Sequence, residues 1–182
     1  TNGNFYFGTG ENTVFMIEGS TGQRRRWTKN DVINAVVLQD KMENLDFMTP
    51  LGLVSDCNPQ TSHLHQFEIM ITYSNKPPMF SAYDRQGVKD ILEMASVIKS
   101  PAGIEKKPFW MNLMASTSPL VHSPDVLDKL LYSSEKRIPV IYSCTQAAGA
   151  TTPVTLAGTI VINLAEGLSA LAISQLKNEG AP

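Results

Sequence analysis

Short apolar strands recur along this chain at the spacing of one strand-plus-helix unit, and that period restricts the fold more than any single motif. Strand centres fall at Phe47, Phe80, Trp110 and Ile141, in steps of 33, 30 and 31 residues. Between them the apolar positions follow the 3.6-residue period. Val88, Ile91, Leu92, Ala95 and Ile98 form one helix face, Leu64, Phe67 and Ile71 another, and Leu127, Leu130 and Leu131 a third after Ser123-Pro124. A parallel return between strands needs a helix-sized crossover, so the alternation specifies an α/β fold around a parallel sheet. With 182 residues, 42% of them hydrophobic, the chain can bury a core.

Two architectures fit, an open doubly wound sheet and a (β/α)8 barrel. Asn112 inside the apolar run 109–115 suits a barrel interior. No GxGxxG or GxxxxGK[ST] loop follows a strand, which removes the commonest nucleotide-binding reasons for an open sheet. Either way, ligands belong at the C-terminal ends of the strands. Those ends are 49–56, 81–85, 115–122 and 143–152.

Residues 1–27 differ in texture. The glycine and aromatic stretch 1–10 suits a loop lying close over a ligand or other backbone, and 13–18 with 24–27 flank Gly19-Ser20-Thr21-Gly22-Gln23 as a β-hairpin. Residues 28–182 read as consecutive βα units. A capping box of Thr28 and Asp31 opens the first helix, which runs to about Met42, and a strand follows at 45–48. Asp84 caps the helix after the Phe80 strand. The most informative unit is 138–166: a strand, a small-residue loop, a helix start at Thr152-Pro153, and a long aliphatic helix. That helix is interrupted by Asn163, Glu166 and Ser169, so it is expected to fall short of a membrane span. The chain opens on Thr1 rather than Met and closes on Gly180-Ala181-Pro182, where a helix-ending glycine should hand over to a further strand. It reads as a piece of a longer protein.

The 15 Lys+Arg against 17 Asp+Glu give a formal charge of −2, which favours neither nucleic acid nor an anionic membrane. The run Arg24-Arg25-Arg26 decorates the hairpin. Cys57 and Cys144 lack metal or disulfide-scaffold spacing, as expected of a cytoplasmic protein.

Chemistry-bearing residues are sparse. His63 and His65 lie two apart on a helix without a third ligand, so no metal site is expected. His122 stands on a βα loop at the functional end of the sheet. Cys144 follows a strand, with no histidine near it in sequence. Asp46, Asp56 and Asp84 are scattered. Phe5, Tyr6, Phe7, Phe80, Tyr83 and Tyr142 lie near strand ends, where rings attract a cationic headgroup, and Tyr83 is the best placed of them. Loop 143–152 is poor in acids and bases, yet Ala147-Ala148-Gly149-Ala150 leaves room for a bulky flat ligand. Thr151 and Thr152 can cap the helix after it.

Several stretches carry a family resemblance. They are Tyr6-Phe7-Gly8-Thr9-Gly10, Leu64-His65-Gln66-Phe67, Thr117-Ser118-Pro119-Leu120 with His122-Ser123, Leu127-Asp128-Lys129-Leu130-Leu131, and above all Ala148-Gly149-Ala150-Thr151-Thr152-Pro153-Val154-Thr155-Leu156-Ala157-Gly158. With these the chain resembles the trimethylamine methyltransferase family of corrinoid-dependent enzymes, whose members without pyrrolysine act on quaternary amines such as glycine betaine. The resemblance implies a (β/α)8 TIM barrel of which this chain is a partial fragment, about four to five βα units. It also implies a cognate corrinoid protein carrying the cobalamin-type cofactor, homo-oligomerisation, and a role in one-carbon or methanogenesis-type metabolism. The family's pyrrolysine position lies beyond Pro182.

For such a reaction Phe7, Tyr83, Ser118 and His122 are the candidate substrate contacts, and Gln146, Gly149 and Thr151 the candidate corrinoid-facing ones. No catalytic group is assigned. A quaternary ammonium leaves as a neutral tertiary amine, so its methyl transfer needs alignment and dryness rather than a general acid. A loop without acids or bases therefore favours a quaternary amine over trimethylamine. The competing readings are a non-catalytic quaternary-ammonium or corrinoid-binding barrel, and another TIM-barrel enzyme of lyase or aldolase type using Cys144 or a lysine.

Overall fold

The computed structural model describes residues 3–10 and 12–182. The chain divides into two compact units, Thr1–Phe80 with Asp90–Ala95, and Ser81–Lys89 with Ser96–Pro182.

In the first unit the expected hairpin forms from β1 (Phe15–Ile17) and β2 (Arg24–Arg26), antiparallel with Met16 opposite Arg25. The arginine run serves it in two ways. Arg24 lies 3.8 Å over the Phe15 ring, and Arg25 reaches Asp31 at 2.6 and 2.9 Å. Asp31 is also half of the capping box: Thr28 Oγ1 accepts from the Asp31 amide, while the Asp31 carboxylate accepts from the Thr28 amide at 2.8 Å. Hydrogen bonds from Arg25, reinforced by Thr28, hold the Asp31 carboxyl well below the usual carboxylate range. The box starts α1 (Lys29–Lys41), which buries Val32, Val36 and Gln39.

Helix α2 (Ser62–Tyr73) forms as expected, but the face it buries is His63, Gln66, Phe67 and Met70, with Leu64 and Ile71 only half-buried. The stripe is turned because Gln66 donates to the Gly52 carbonyl at 2.6 Å, fixing which side faces inward. Phe67 packs on Phe80 of β3 (Met79–Phe80), with ring centroids 5.8 Å apart.

No regular strand forms at 45–48. Phe47 bridges Gly8 and Met48 bridges Pro78, each singly, and the chain turns away at Leu51, whose φ is 61°. The glycine loop lies over protein: a Cβ on Gly8 would sit 2.1 Å from the Phe47 ring, so only glycine lets the two segments approach this closely. Buried Gln39 secures the loop, donating to the Thr49 carbonyl at 3.0 Å and accepting from Thr9 Oγ1 at 2.6 Å.

In the second unit β4 (Met111–Ala115) and β5 (Val140–Ser143) pair in parallel, Asn112 opposite Val140 and Ala115 opposite Ser143. Helix α5 (Pro124–Glu135), opened by Pro124 as expected, makes the crossover. Met114, Leu130 and Ala170 form the core, with Val126, Val140, Tyr142 and Ile173 packed against it. Asn112 does not mark a barrel interior. It faces α5, where its Nδ2 donates to Ser133 Oγ at 3.1 Å. Helix α3 (Arg85–Ile98), whose residues 90–95 are counted in the first unit, carries the expected cap, Gly87 N–H donating to Asp84 Oδ1 at 2.8 Å. A short α4 (Pro101–Lys106), absent from the sequence reading, follows it and is capped by Ser100.

Helix α6 (Leu156–Lys177) starts later than Thr152-Pro153 suggested. Ala147 O accepts from the amides of Thr151 and Thr152, so the loop closes on itself first; Thr155 then caps the helix by accepting from the Gly158 amide at 3.2 Å. After α6 the backbone returns to the sheet, with Val140 N–H donating to Pro182 O at 3.3 Å. The expectation about membrane crossing is corrected. By length and composition α6 is long and apolar enough to cross a membrane, its most apolar 18-residue stretch having a mean hydropathy of 1.7 with 11% of it buried. Glu166, Ser169 and Ser174 point into the unit, while Leu156, Val161, Leu164, Leu168 and Leu171 point out, all more than half exposed.

The folded units are mixed α/β with a small parallel sheet. Thr28→Ala should lower unfolding free energy by about 1 kcal/mol, read from urea unfolding; an unchanged midpoint would mean that the capping box adds nothing to Arg25–Asp31.

Candidate functional site

The C-terminal ends of β4 and β5 converge on one side chain that the sequence reading passed over. Glu166, on the inward face of α6, is 1% exposed. Oε2 accepts from Ser116 Oγ, from Ser118 Oγ at 3.0 Å and from Gln146 Nε2 at 2.7 Å; Oε1 accepts from the Leu120 amide at 2.7 Å. Three of these donors come from the β4 loop and one from the β5 loop. Asn163 braces Gln146 from the next turn back, donating to its Oε1 at 2.6 Å and to the Cys144 carbonyl at 3.2 Å.

The magnitudes explain why this carboxylate is charged. Taking it out of water costs several kcal/mol, while each hydrogen bond to a charged group contributes about 1.5–3 kcal/mol. Burial is the largest single influence and pushes the Glu166 pKa up. The donors Ser116, Leu120 and Ser118, with His122 nearby, together outweigh it and hold the carboxyl below its ordinary 4.5.

The β4 loop needs this support. Thr117 and Val121 bridge each other to close a tight turn, within which Ser118–Pro119 is cis and Leu120 has a φ of 57°. A non-glycine residue in that left-handed region costs on the order of 1 kcal/mol or more. The bond from the Leu120 amide to Glu166 offsets it.

Beside this hub lies a second chain of hydrogen bonds. His122 Nδ1 meets Tyr142 Oη at 2.5 Å and its Nε2 meets Ser169 Oγ at 2.7 Å, while Ser169 Oγ donates to the Glu166 carbonyl at 2.8 Å. Since the Ser169 proton is committed to that carbonyl, Nε2 carries a proton and donates it to Ser169 Oγ. Burial pushes the Tyr142 hydroxyl up to about 12, aided by the charges of Cys144 and Glu166, so it keeps its proton. Both imidazole nitrogens are thus engaged within the protein.

Of the sequence-derived candidates, Ser118, His122 and Gln146 gather here around α6. Gly149 and Thr151 lie in the adjacent loop, where Gly149 has a φ of 78° and Thr151 Oγ1 accepts from the Ala147 amide at 2.9 Å. Residues 147–150 are all exposed, and a Cβ on Gly149 would meet only Val154, at 3.7 Å. That surface has room for a flat ligand. Tyr83 belongs to the same unit and is 48% exposed. Phe7 belongs to the other unit, 65% exposed, its amide donating to Asp46 Oδ2 at 2.8 Å. Thr152 does not cap α6; its hydroxyl bonds to Ala147 O and Thr159. The loop is also less neutral than it reads in sequence, because α6 supplies Glu166 from below. The signal that could have found it is a lone acid in a 22-residue aliphatic helix.

These are the loops whose motifs carried the family resemblance, and a protein-family model described as trimethylamine methyltransferase (MTTB) matches residues 2–182. The chain belongs to this family. Within the MTTB family it is similar to a trimethylamine methyltransferase of Desulfitobacterium hafniense, 28% identical over 97% of this chain and 35% of that protein. It is 29% identical to a glycine betaine methyltransferase of Desulfitobacterium hafniense strain Y51, over 95% of this chain and 38% of the relative. A proline betaine:corrinoid methyltransferase of Eubacterium limosum is 24% identical over 85% of this chain and 34% of its own length. The chain spans about a third of the length of these curated relatives.

A carboxyl whose pKa is depressed on folding stabilises the fold above its unfolded value, here 4.5, and loses that contribution as pH falls through the folded value. Glu166→Gln should therefore cost about 2 kcal/mol or more at pH 7, and the gap from the parent protein should narrow steadily below pH 4.5 in chemical-unfolding titrations. A gap independent of pH would mean that Glu166 is not charged in the fold.

Proposed function

We infer that this chain is part of a methyltransferase that moves a methyl group from a methylated amine to the Co(I) corrinoid of a cognate corrinoid protein. In this reading the two units belong to a (β/α)8 barrel whose functional face includes the ends of β4 and β5. A quaternary amine such as glycine betaine is the favoured donor.

One observation carries that preference: the titratable groups gathered at those ends are committed elsewhere. Glu166 is held ionised, Tyr142 is pushed up to about 12, and both nitrogens of His122 are engaged. All three are tied into hydrogen bonds within the protein. In methyl transfer from a quaternary ammonium the nitrogen–carbon bond breaks with its electron pair left on nitrogen, and a neutral tertiary amine departs without needing a proton. The protein's work is then to line up the nitrogen–methyl axis with the acceptor and to exclude water. In this reading Ser118 and His122 shape the amine side, and Gln146, Gly149 and Thr151 meet the flat macrocycle. The names of the relatives support the reaction class, since they include both trimethylamine and betaine methyltransferases.

The test uses the whole protein with Co(I) cobalamin and a panel of betaines and methylamines, following methylcobalamin by absorbance. Turnover with a betaine and none with trimethylamine supports the reading; saturable ligand binding without methylcobalamin from any member would sink it. If Tyr83 contributes a cation–π wall, Tyr83→Ala should raise KM for the betaine about fivefold with little change in kcat. An unchanged KM would remove Tyr83 from the site.

A further inference from the structure

The charge on Glu166 has no lysine or arginine to balance it, and His122 is the neighbouring titratable side chain whose charge acts on it. Every group that donates to it is neutral: two hydroxyls, one backbone amide and one carboxamide. Several cations of the same unit are occupied elsewhere. Lys129, though buried, donates to the Ala82 carbonyl at 2.8 Å; Arg85 pairs with Asp128, Lys136 and Lys177 pair with Glu135, and Arg137 bonds the Gly180 carbonyl. Among the described residues no lysine or arginine forms an ion pair with Glu166. A buried charge surrounded only by neutral donors keeps its field, which a low-dielectric surround screens poorly. Each serine that donates its proton inward also turns its oxygen lone pairs away from Glu166, and half-buried Ser118 is one of them.

We propose that Glu166 is a positioning residue that also sets specificity, its negative charge behind the Ser116, Ser118, Leu120 and Gln146 donors selecting a cationic methylammonium head group over the uncharged carbon head group of the same shape. The ligand does not touch Glu166; it meets the ends of the β4 and β5 loops and senses the charge through them. The proposal rests on the amine-binding reading given above. It goes further in identifying what distinguishes an ammonium from its carbon isostere. At the separation of one intervening residue, an effective dielectric near 20 corresponds to about a tenfold to hundredfold preference.

The experiment measures binding of glycine betaine and of 3,3-dimethylbutanoate, its isostere with carbon in place of nitrogen, to the whole protein by calorimetry. The parent protein should bind the betaine at least tenfold more tightly. In Glu166→Gln, checked for folding by circular dichroism, that ratio should fall towards one, chiefly by loss of betaine affinity. Glu166→Asp keeps the charge with a shorter reach, so it should weaken both ligands and preserve the ratio. A purely structural hub would lower both affinities together in Glu166→Gln and leave the ratio intact, and that result would overturn the proposal. Loss of the ratio in a folded Glu166→Asp protein would overturn it too, even if Glu166→Gln failed to fold. If the parent protein bound none of glycine betaine, choline or trimethylammonium, the amine-binding reading itself would fall, and the proposal with it.

Discussion

The arrangement at the functional end of the second unit depends on one buried carboxylate and the four donors that meet it. Without Glu166 the Ser116 and Ser118 hydroxyls, the Leu120 amide and the Gln146 carboxamide would converge on an apolar helix, each having lost a water partner for nothing. With it, two loops from different strands share one anchor, and Leu120 is held in a backbone conformation it would not choose alone. The same requirement turns α6 inside out relative to an ordinary surface helix. Its polar residues Glu166, Ser169 and Ser174 face the unit, and its leucines face away.

The first unit uses the same device on its own account. Gln39, buried on α1, ties the glycine loop at Thr9 to the segment at Thr49, while Gly8 lets the loop settle on Phe47. In both units a helix reaches through the core with one long polar side chain and fixes irregular backbone near strand ends. Such fully satisfied networks stiffen loops that hydrophobic packing alone leaves free to shift. A site that works by alignment and water exclusion needs that stiffness more than it needs acids and bases.

Much of this was legible in the sequence because it follows from short-range rules. Thr28 and Asp31 announce a helix start, Pro124 another, Asp84 a third, and the hairpin is written in its glycine turn. The regular spacing of strands identified βα units, and the loop motifs identified the family. What failed were inferences that needed three-dimensional direction. Asn112 looked like a barrel-interior residue, but strand alternation sends it to the helix side, where Ser133 waits. The 45–48 strand dissolved into single bridges because Gly8 and Pro78 each meet it at one residue. Glu166 reads in sequence as an interruption in an apolar helix, since its partners lie 20 to 50 positions away and nothing local reveals them.

The central claim is that Glu166 organises the loops at the ends of β4 and β5. Amide hydrogen exchange at Leu120 reports on it directly, because that N–H donates to Glu166 Oε1 while its side chain is exposed. The account predicts slow exchange at Leu120 in the parent protein and exchange at least tenfold faster in Glu166→Gln, with the α5 amides still protected. Equal protection of Leu120 in the two proteins would contradict it.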